Sequence, residues 1–275
     1  MRTIVHLSDL HFGRTDDALL APLASVIAKL APDLIAVSGD LTQRARTAEF
    51  QAARAFLDRL PKPQIIVPGN HDVPLHNVFG RFIGPLTKYR RYITEGLAPF
   101  YIDDEIAALG INTARSLTFK RGRINSKQID HAKERLCTLD PKIIKIIVTH
   151  HPFDLPDRRS SSELVGRADL AMDMLSACRC DLLLAGHLHL SDAGSVAMRS
   201  LGANHDAIAV QAGTATSTRG RGELNSFNAI HVEANRIEVQ RFAWRPPDSV
   251  FESMGSETFE RTTAGWQSRS PPRAA

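Results

Sequence analysis

The sequence predicts a layered α/β fold whose sheet is buried on both faces. Three observations carry this. Short runs such as Ile4-Val5-His6-Leu7 and Leu34-Ile35-Ala36-Val37 are continuously apolar rather than alternating, which marks strands covered on both sides. Stretches with helical apolar spacing separate them. Each run ends in a small polar cluster, where a strand hands over to a loop.

Taken in order, the first run ends at Ser8-Asp9 and gives way to a helical pattern from about Asp17 to Leu30. The second runs into Ser38-Gly39-Asp40, with a helix expected from about Thr47 to Leu60, and Ile65-Ile66-Val67 then runs into Pro68-Gly69-Asn70-His71-Asp72. Strand, helix, strand repeats of this kind imply parallel pairing through right-handed crossovers. The middle is less regular: Asn77 to Arg91 reads as loop and short helix, Glu105 to Leu109 as a strand, and Ser126 to Leu136 as a helix opened by its own serine. Lys142 to Val148 and Asp181 to Leu184 are two further buried strands, delivering Thr149-His150-His151-Pro152 and Ala185-Gly186-His187-Leu188-His189. Ala207 to Gln211, Phe227 to Val232 and Ile237 to Trp244 then read as a meander of strands. Residues 1–261 are expected to form a single domain, and the Ser-, Arg- and Pro-rich stretch 262–275 a disordered tail.

Composition narrows the class. A chain of 275 residues with 43% hydrophobic and 23% charged residues excludes a disordered, fibrous or membrane-spanning protein. Its net charge of +4 tolerates anionic ligands but is too small and dispersed to predict specific nucleic-acid binding. Cys137, Cys178 and Cys180 form no metal-ligand or disulfide framework by spacing, so three reduced thiols are expected. The residues before Asp9 are too few and too polar for a signal-peptide core, so a cytoplasmic protein without a membrane span is expected.

The chemistry collects at five strand ends: Asp9-x-His11, Gly39-Asp40, Gly69-Asn70-His71-Asp72, His150-His151 and Gly186-His187-x-His189. In open α/β sheets ligands gather outside the carboxyl ends of strands, so the clusters can converge. A spacing of two in Asp9/His11 and His187/His189 would let both side chains leave an extended segment on one side. Any one cluster could be a cap or a surface pair. Six of the 11 histidines, at 11, 71, 150, 151, 187 and 189, fall inside the clusters, and gathering them without a cation would incur desolvation and repulsion. Carboxylate, imidazole and amide oxygen suit a first-row transition metal. His6, His76, His131, His205 and His231 lie outside the clusters and are not expected to bind metal.

The ordered set D-x-H, GD, GNHD, H and GHxH resembles the calcineurin-like metallophosphoesterases. Leu7-Ser8-Asp9-Leu10-His11 and Ser38-Gly39-Asp40-Leu41-Thr42 look most like the branch of bacterial cyclic-nucleotide phosphodiesterases and glycerophosphodiesterases, over about residues 2 to 245. The resemblance implies a four-layer α/β/β/α sandwich with two packed mixed β-sheets. It also implies two metal ions, Mn2+ or an Fe/Mn pair with Zn2+ as an alternative, one held by Asp9, His11, Asp40 and His189 and the other by Asp40, Asn70, His150 and His187. A carboxylate such as Asp40 can span two ions about 3.5 to 4 Å apart, with a metal-activated hydroxide attacking phosphorus in line.

His71 is expected to contact the phosphate or protonate the leaving oxygen, with Asp72 holding its imidazole. Asn70 is expected to touch substrate as well as metal, and His151 either supports a ligand or touches substrate. Arg219 is a candidate phosphate contact, and Arg158, Arg159, Arg221, Asn112 and Arg115 share that status, against the plain alternative of solvated loop residues. The expected substrate is a small phosphodiester, with a 3',5'-cyclic nucleotide such as cAMP favoured. Two alternatives stay open: a phospholipid or UDP-diacylglucosamine-type precursor, although Gly-Asn-His-Asp differs from the Gly-Asn-Arg-Asp of those hydrolases, and a non-catalytic metal-binding scaffold. A homo-oligomer is compatible with the sequence.

Overall fold

The computed structural model describes residues 1–75, 78–116, 121–154, 164–200, 203–218, 222–246 and 248–269. The elements run β1 (Arg2–Leu7), α1 (Leu20–Leu30), β2 (Leu34–Ser38), α2 (Thr47–Leu57), β3 (Gln64–Val67), α3 (Val78–Ile83), α4 (Thr87–Tyr92), β4 (Phe100–Ile102), β5 (Ile106–Gly110), α5 (Ser126–Leu136) and β6 (Ile144–Val148). They continue through α6 (Ala168–Ala177), β7 (Leu182–Ala185), β8 (Asp192–Ser200), β9 (Ala203–Gln211), β10 (Ser226–Val232), β11 (Arg236–Arg245), β12 (Val250–Thr262) and β13 (Gly265–Ser268). β4, α6, β8, β12 and β13 have no counterpart in the sequence reading. Asn125, rather than Ser126, caps α5, its side chain accepting from the backbone N–H of Gln128.

β3, β2 and β1 are parallel, and β1 pairs antiparallel with β10, which leads into the β10–β11–β12 meander. A second parallel group comprises β5, β6, β7 and β9, with β4 and β8 antiparallel at its flanks. The two halves lie face to face. Ile4, Leu34, Ala36 and Ile65 from the first pack with Ile106, Ile144, Ile146, Leu182 and Ile208 from the second in one inner core. The alternate positions face outward: Val5, Leu7, Ile35 and Val37 pack with Leu23, Ile27 and Phe50 of α1 and α2, and Ile147 and Leu183 with Ile129, Ala132 and Leu175 of α5 and α6. Successive strand side chains therefore enter different cores, which is why the runs are apolar throughout. Helix, sheet, sheet, helix is the four-layer order that the resemblance implies.

The two half-sheets are not separate. β12 continues into β13, and β13 pairs with β9 at Gly265 and Asp206, giving one hydrogen-bonded path folded back on itself. Gly265 has φ +114°, and a Cβ there would run into the Asp206 backbone. The expected disordered tail thus begins too early: residues 265–268 form a strand, and Trp266 is fully buried. Its indole N–H donates to Asp181 Oδ1 at 2.8 Å, and the Arg261 guanidinium donates to the same oxygen at 2.8 Å. A serine- and arginine-rich composition hid a single aromatic anchor.

The cysteine expectation is also corrected. Cys137 and Cys178 form a disulfide, and Cys180 alone is a free, buried thiol. The bonded residues close the C-terminal ends of α5 and α6, which pack side by side; their separation of 41 residues carries no local signal.

Replacing Trp266 removes a large buried side chain and leaves Asp181 short of a donor. Trp266→Ala is expected to cost about 3–5 kcal/mol, read as a lower urea midpoint at unchanged slope. A disordered tail would give no change.

Candidate metal centre

The two half-sheets bring the carboxyl ends of β1, β2, β3, β6 and β7 to one place. Backbone hydrogen bonds fasten the loops after these strands to one another: Asp9 N–H donates to Gly39 O at 3.1 Å, His11 N–H to Asp40 O at 2.9 Å, and Gly186 N–H to His150 O at 3.1 Å. Gly39, at φ +85°, sits where a Cβ would strike the His150 ring and the Gly69 nitrogen, so glycine permits the second and fourth loops to close.

The local backbone differs from the expectation of extended segments. Asp9, His11, Asp40, His187 and His189 have φ values of 53°, 47°, 52°, 75° and 59°, all in the left-handed region. Non-glycine residues enter it at a cost, although Asp and His tolerate it better than most. Each pair at spacing two converges by curling rather than by alternation along a strand.

The result is a set of overlapping triads. Asp9, His11 and His189 form one, Asp9, Asp40 and His150 another, and His11, Asp40 and His71 a third, with the ligand atoms of each within 4.8 Å of one another. A fourth joins His150, His151 and His187. Nε2 of His11 and Nε2 of His189 each lie 3.4 Å from Asp9 Oδ1. Asp40 Oδ2 lies 3.7 Å from His11 Nε2 and 3.4 Å from His150 Nε2, while Asp40 Oδ1 accepts the His71 N–H at 2.8 Å. Asn70 Oδ1 is 3.0 Å from His150 Nε2. Asp40 therefore stands between two groups of donors.

Surrounding groups aim these side chains. His150 Nδ1 is 2.8 Å from the Ser38 carbonyl, and a carbonyl only accepts, so Nδ1 carries a proton and Nε2 is the nitrogen left to bind a metal once it is deprotonated. His71 is fixed likewise, Nδ1 donating to Gln43 O at 2.9 Å. His189 Nδ1 meets Thr214 Oγ1 at 2.6 Å, and Asp9 Oδ2 accepts from Ser8 Oγ at 2.7 Å and from the His187 N–H at 3.1 Å. Ser8, Ser38, Gln43 and Thr214 escaped the sequence reading, since a hydroxyl or carbonyl beside a ligand leaves no spacing signal.

Burial opposes ionisation of Asp9 and Asp40. The neighbouring imidazoles outweigh it, His11 and His189 at Asp9 and His150 at Asp40, and hold both carboxyls well below the usual range. His150 responds in kind: despite its burial, Asp40 and then Asp9 push it up to about 9. His187 is driven down to about 4, by burial and then by the charge on His150. Protonated imidazole thus supplies positive charge that a metal ion would supply on binding neutral nitrogens. The donor set passes a second test of fit. Asp9 Oδ1 and both ring nitrogens of His11 are buried with no hydrogen-bond partner among the described residues, an arrangement costly for a purely structural cluster and suited to a cation.

Asp72 has a different part from the one expected. Its carboxylate accepts from the backbone N–H groups of Leu41 at 3.2 Å, Thr42 at 2.9 Å and Gly69 at 2.9 Å, and from Thr42 Oγ1 at 2.9 Å. It ties the loop after β2 to the loop after β3, whereas the His71 ring is held through Nδ1 by the Gln43 carbonyl. Burial, and then the charge of Asp40, push its carboxyl up to about 6. His151 lies in the cluster, its Nδ1 2.8 Å from Thr113 Oγ1. Arg219, Arg158, Arg159 and Arg221 lie outside the described residues.

Residues 2–191 match the family model described as calcineurin-like phosphoesterase. The chain belongs to that family. It is 36% identical over 80 residues to the glycerophosphodiester phosphodiesterase GpdQ of Enterobacter lignolyticus, covering 25% of this chain and 29% of the relative. To a probable cyclic nucleotide phosphodiesterase of Synechococcus it is 27% identical over 161 residues, covering 54% of this chain and 58% of the relative. The chain thus spans between about a quarter and three fifths of these curated relatives. A purple acid phosphatase from yellow lupin seeds superposes with TM-score 0.70 at 13% identity, over 95% of this chain and 54% of that one. A dimetal phosphatase from Danio rerio gives TM-score 0.63 at 12% identity, over 87% and 95%. These two likenesses establish the fold. No helix among the described residues is long and apolar enough to cross a membrane.

His6, on β1 beneath this centre, bears on its stability. The ring is fully buried, Nε2 is 2.9 Å from Ser38 Oγ, and burial pushes its pKa down to about 3. Between that value and the ordinary histidine range the unfolded chain binds the proton and the folded one does not, so stability falls as pH falls. In chelator-treated protein, His6→Gln is expected to lose about 2 kcal/mol less than the parent between about pH 7 and pH 4.5, by urea titration.

Proposed function

We propose that this chain is a dinuclear metal-dependent phosphoesterase that hydrolyses small phosphodiesters. The observation that carries the reading is the position of Asp40, whose carboxylate faces His11 and His71 on one side and His150 on the other. In this reading Asp9, His11, Asp40 and His189 hold one ion and Asp40, Asn70, His150 and His187 the other. Two such cations would supply an acidified water and neutralise charge on the phosphoryl oxygens. Family membership and the names of the two curated relatives support this reaction class.

The remaining work falls to the protein. Asp40 and Asp9 stay ionised despite burial because the surrounding imidazoles favour their charged forms. His71 keeps its Nδ1 proton on the Gln43 carbonyl, and its ring stands 4.9 Å from that of His11 in one triad with Asp40. When also protonated at Nε2, it gives that proton to the departing alkoxide as the phosphorus–oxygen bond breaks. Asp72 contributes by fixing the loops that carry Asp40 and Asn70. The substrate with most support is a 3',5'-cyclic nucleotide such as cAMP, because the longer of the two relative matches is to a protein named for that class. A second reading, an amphiphilic phospholipid precursor, draws on Leu75, Phe82 and Ile83, which are exposed on and before α3, just after the Asn70–Asp72 turn. The complete donor set argues against a non-catalytic scaffold.

A metal-reconstituted panel of a cyclic nucleotide, an aryl phosphodiester, a phosphomonoester and a lipid precursor tests the reading; turnover of none with two ions bound would sink it. Asp40→Ala is expected to lose both tightly bound ions by elemental analysis and at least about 10³-fold in turnover. His71→Ala is expected to keep its metal and lose about 10²–10⁴-fold in kcat on an alkyl ester, with a smaller loss on a p-nitrophenyl ester whose leaving group needs no proton.

A further inference from the structure

The loops after β5 and before α6 build a second electropositive feature against the metal centre. Thr113, three residues past β5, bonds His151 Nδ1 through its hydroxyl at 2.8 Å and accepts the His151 N–H at 3.3 Å. Gly122 lies against the same ring so closely that a side chain there would run into it. The His151 ring in turn lies 4.8 Å from that of His150 and 4.5 Å from that of His187. The residues attached to this contact are arginines. Arg115 follows Thr113 by two positions, Arg123 follows Gly122, and Arg167 follows Gly166.

Backbone bonds hold the three together. Arg123 N–H donates to Thr113 O at 2.9 Å, Gly166 N–H to Gly122 O at 2.8 Å and Ile124 N–H to Gly166 O at 3.2 Å, while Arg115 Nε donates to Arg123 O at 2.9 Å. Arg123 and Arg167 are exposed and Arg115 is half-buried. Burial, and then the like charges of Arg123 and Arg167, lower the pKa of Arg115. Among the described residues no carboxylate comes within ion-pair distance of any of them, although elsewhere Arg2, Arg54, Arg241 and Arg261 each have an acidic partner. Asn125 and Arg167 open α5 and α6, and the bond from Ile124 N–H to Gly166 O brings the segments just before these two helix starts together.

We infer that Arg115, Arg123 and Arg167 form an anion subsite on the His151 side of the metal centre, which takes a second phosphate group of the substrate beyond the ester that is cleaved. The inference rests on the phosphoesterase reading, and it adds to the small phosphodiesters of that reading a preference for those bearing a further phosphate. The exposed guanidinium forks of Arg123 and Arg167 suit pairs of phosphate oxygens, Arg115 adds its charge while donating to Arg123 O and Gln128 Oε1, and an arriving dianion would relieve the mutual repulsion. A simple cyclic nucleotide, with one phosphate, would leave the subsite unmatched.

Two esters with the same scissile bond and leaving group test this: thymidine 5'-(p-nitrophenyl phosphate) and its 3'-phosphorylated counterpart. In the reconstituted enzyme, kcat/KM is expected to favour the 3'-phosphorylated ester by at least about tenfold, and Arg123→Gln/Arg167→Gln to reduce that ratio at least about fivefold. That variant keeps Arg115, which braces the loop. Calorimetry on metal-free protein gives an independent readout: thymidine 3',5'-bisphosphate should bind more tightly than the 5'-monophosphate, the difference shrinking in the variant and with rising salt. Equal ratios and equal affinities in parent and variant overturn the subsite, while turnover of both esters keeps the phosphoesterase reading. If neither these esters nor any substrate of the panel above is cleaved but the metal-free preference and its loss persist, the subsite stands and the phosphoesterase reading fails.

Discussion

Two carboxylates, Asp9 and Asp40, are buried close together at the meeting point of two half-sheets, and the rest of the molecule answers to that placement. Buried like charges are tolerable only beside compensating positive charge. Imidazoles favour the charged form of each carboxylate, His11 and His189 at Asp9 and His150 and His71 at Asp40, and His150 is itself pushed up to about 9. The imidazoles are themselves placed by a carbonyl or hydroxyl behind each Nδ1 of His71, His150 and His189, and those partners belong to other loops. A shift of any one loop would misdirect a ring on another. The centre therefore needs the whole sandwich, which explains why its supports reach from Ser8 to Thr214.

The left-handed backbone at Asp9, His11, Asp40, His187 and His189 belongs to the same constraint. Loops that leave parallel strands and must turn side chains inward at once have little room to do so in extended conformation. Strain at these positions is offset by the buried cores beneath, where Ile4, Ala36, Ile146 and Leu184 join the two half-sheets in one apolar layer.

Much of this was legible in the sequence and some was not, for identifiable reasons. The strands that carry the centre stand out because burial on both faces makes them apolar throughout, and the ligands stand out because Asp, His and Gly recur at their ends. The part of Asp72 is not legible because adjacency to His71 says nothing about which backbone N–H groups of the loop after β2 its carboxylate meets. The Cys137–Cys178 bond and the Trp266 anchor join residues far apart in the chain, and local composition carries no trace of such pairings. Arg115 could be named as a candidate from its place after β5, but its grouping with Arg123 and Arg167 depends on how two loops cross.

The placement of β10 and β13 has a consequence for how the protein is made. Every residue of the metal centre lies between positions 9 and 189, so all of them leave the ribosome before the strand that pairs with β1 and the strand that joins the half-sheets. Pairing of Arg2 with Val232 closes a loop spanning most of the chain, a slow and entropically demanding step. Until then the nascent chain carries a full set of ligands on two unjoined halves, with the edge of β1 unpaired and open to other strands. Completion of the centre is thereby tied to the synthesis of β10 and β13, and a chain that stops before them displays its metal-binding side chains without the geometry to use them.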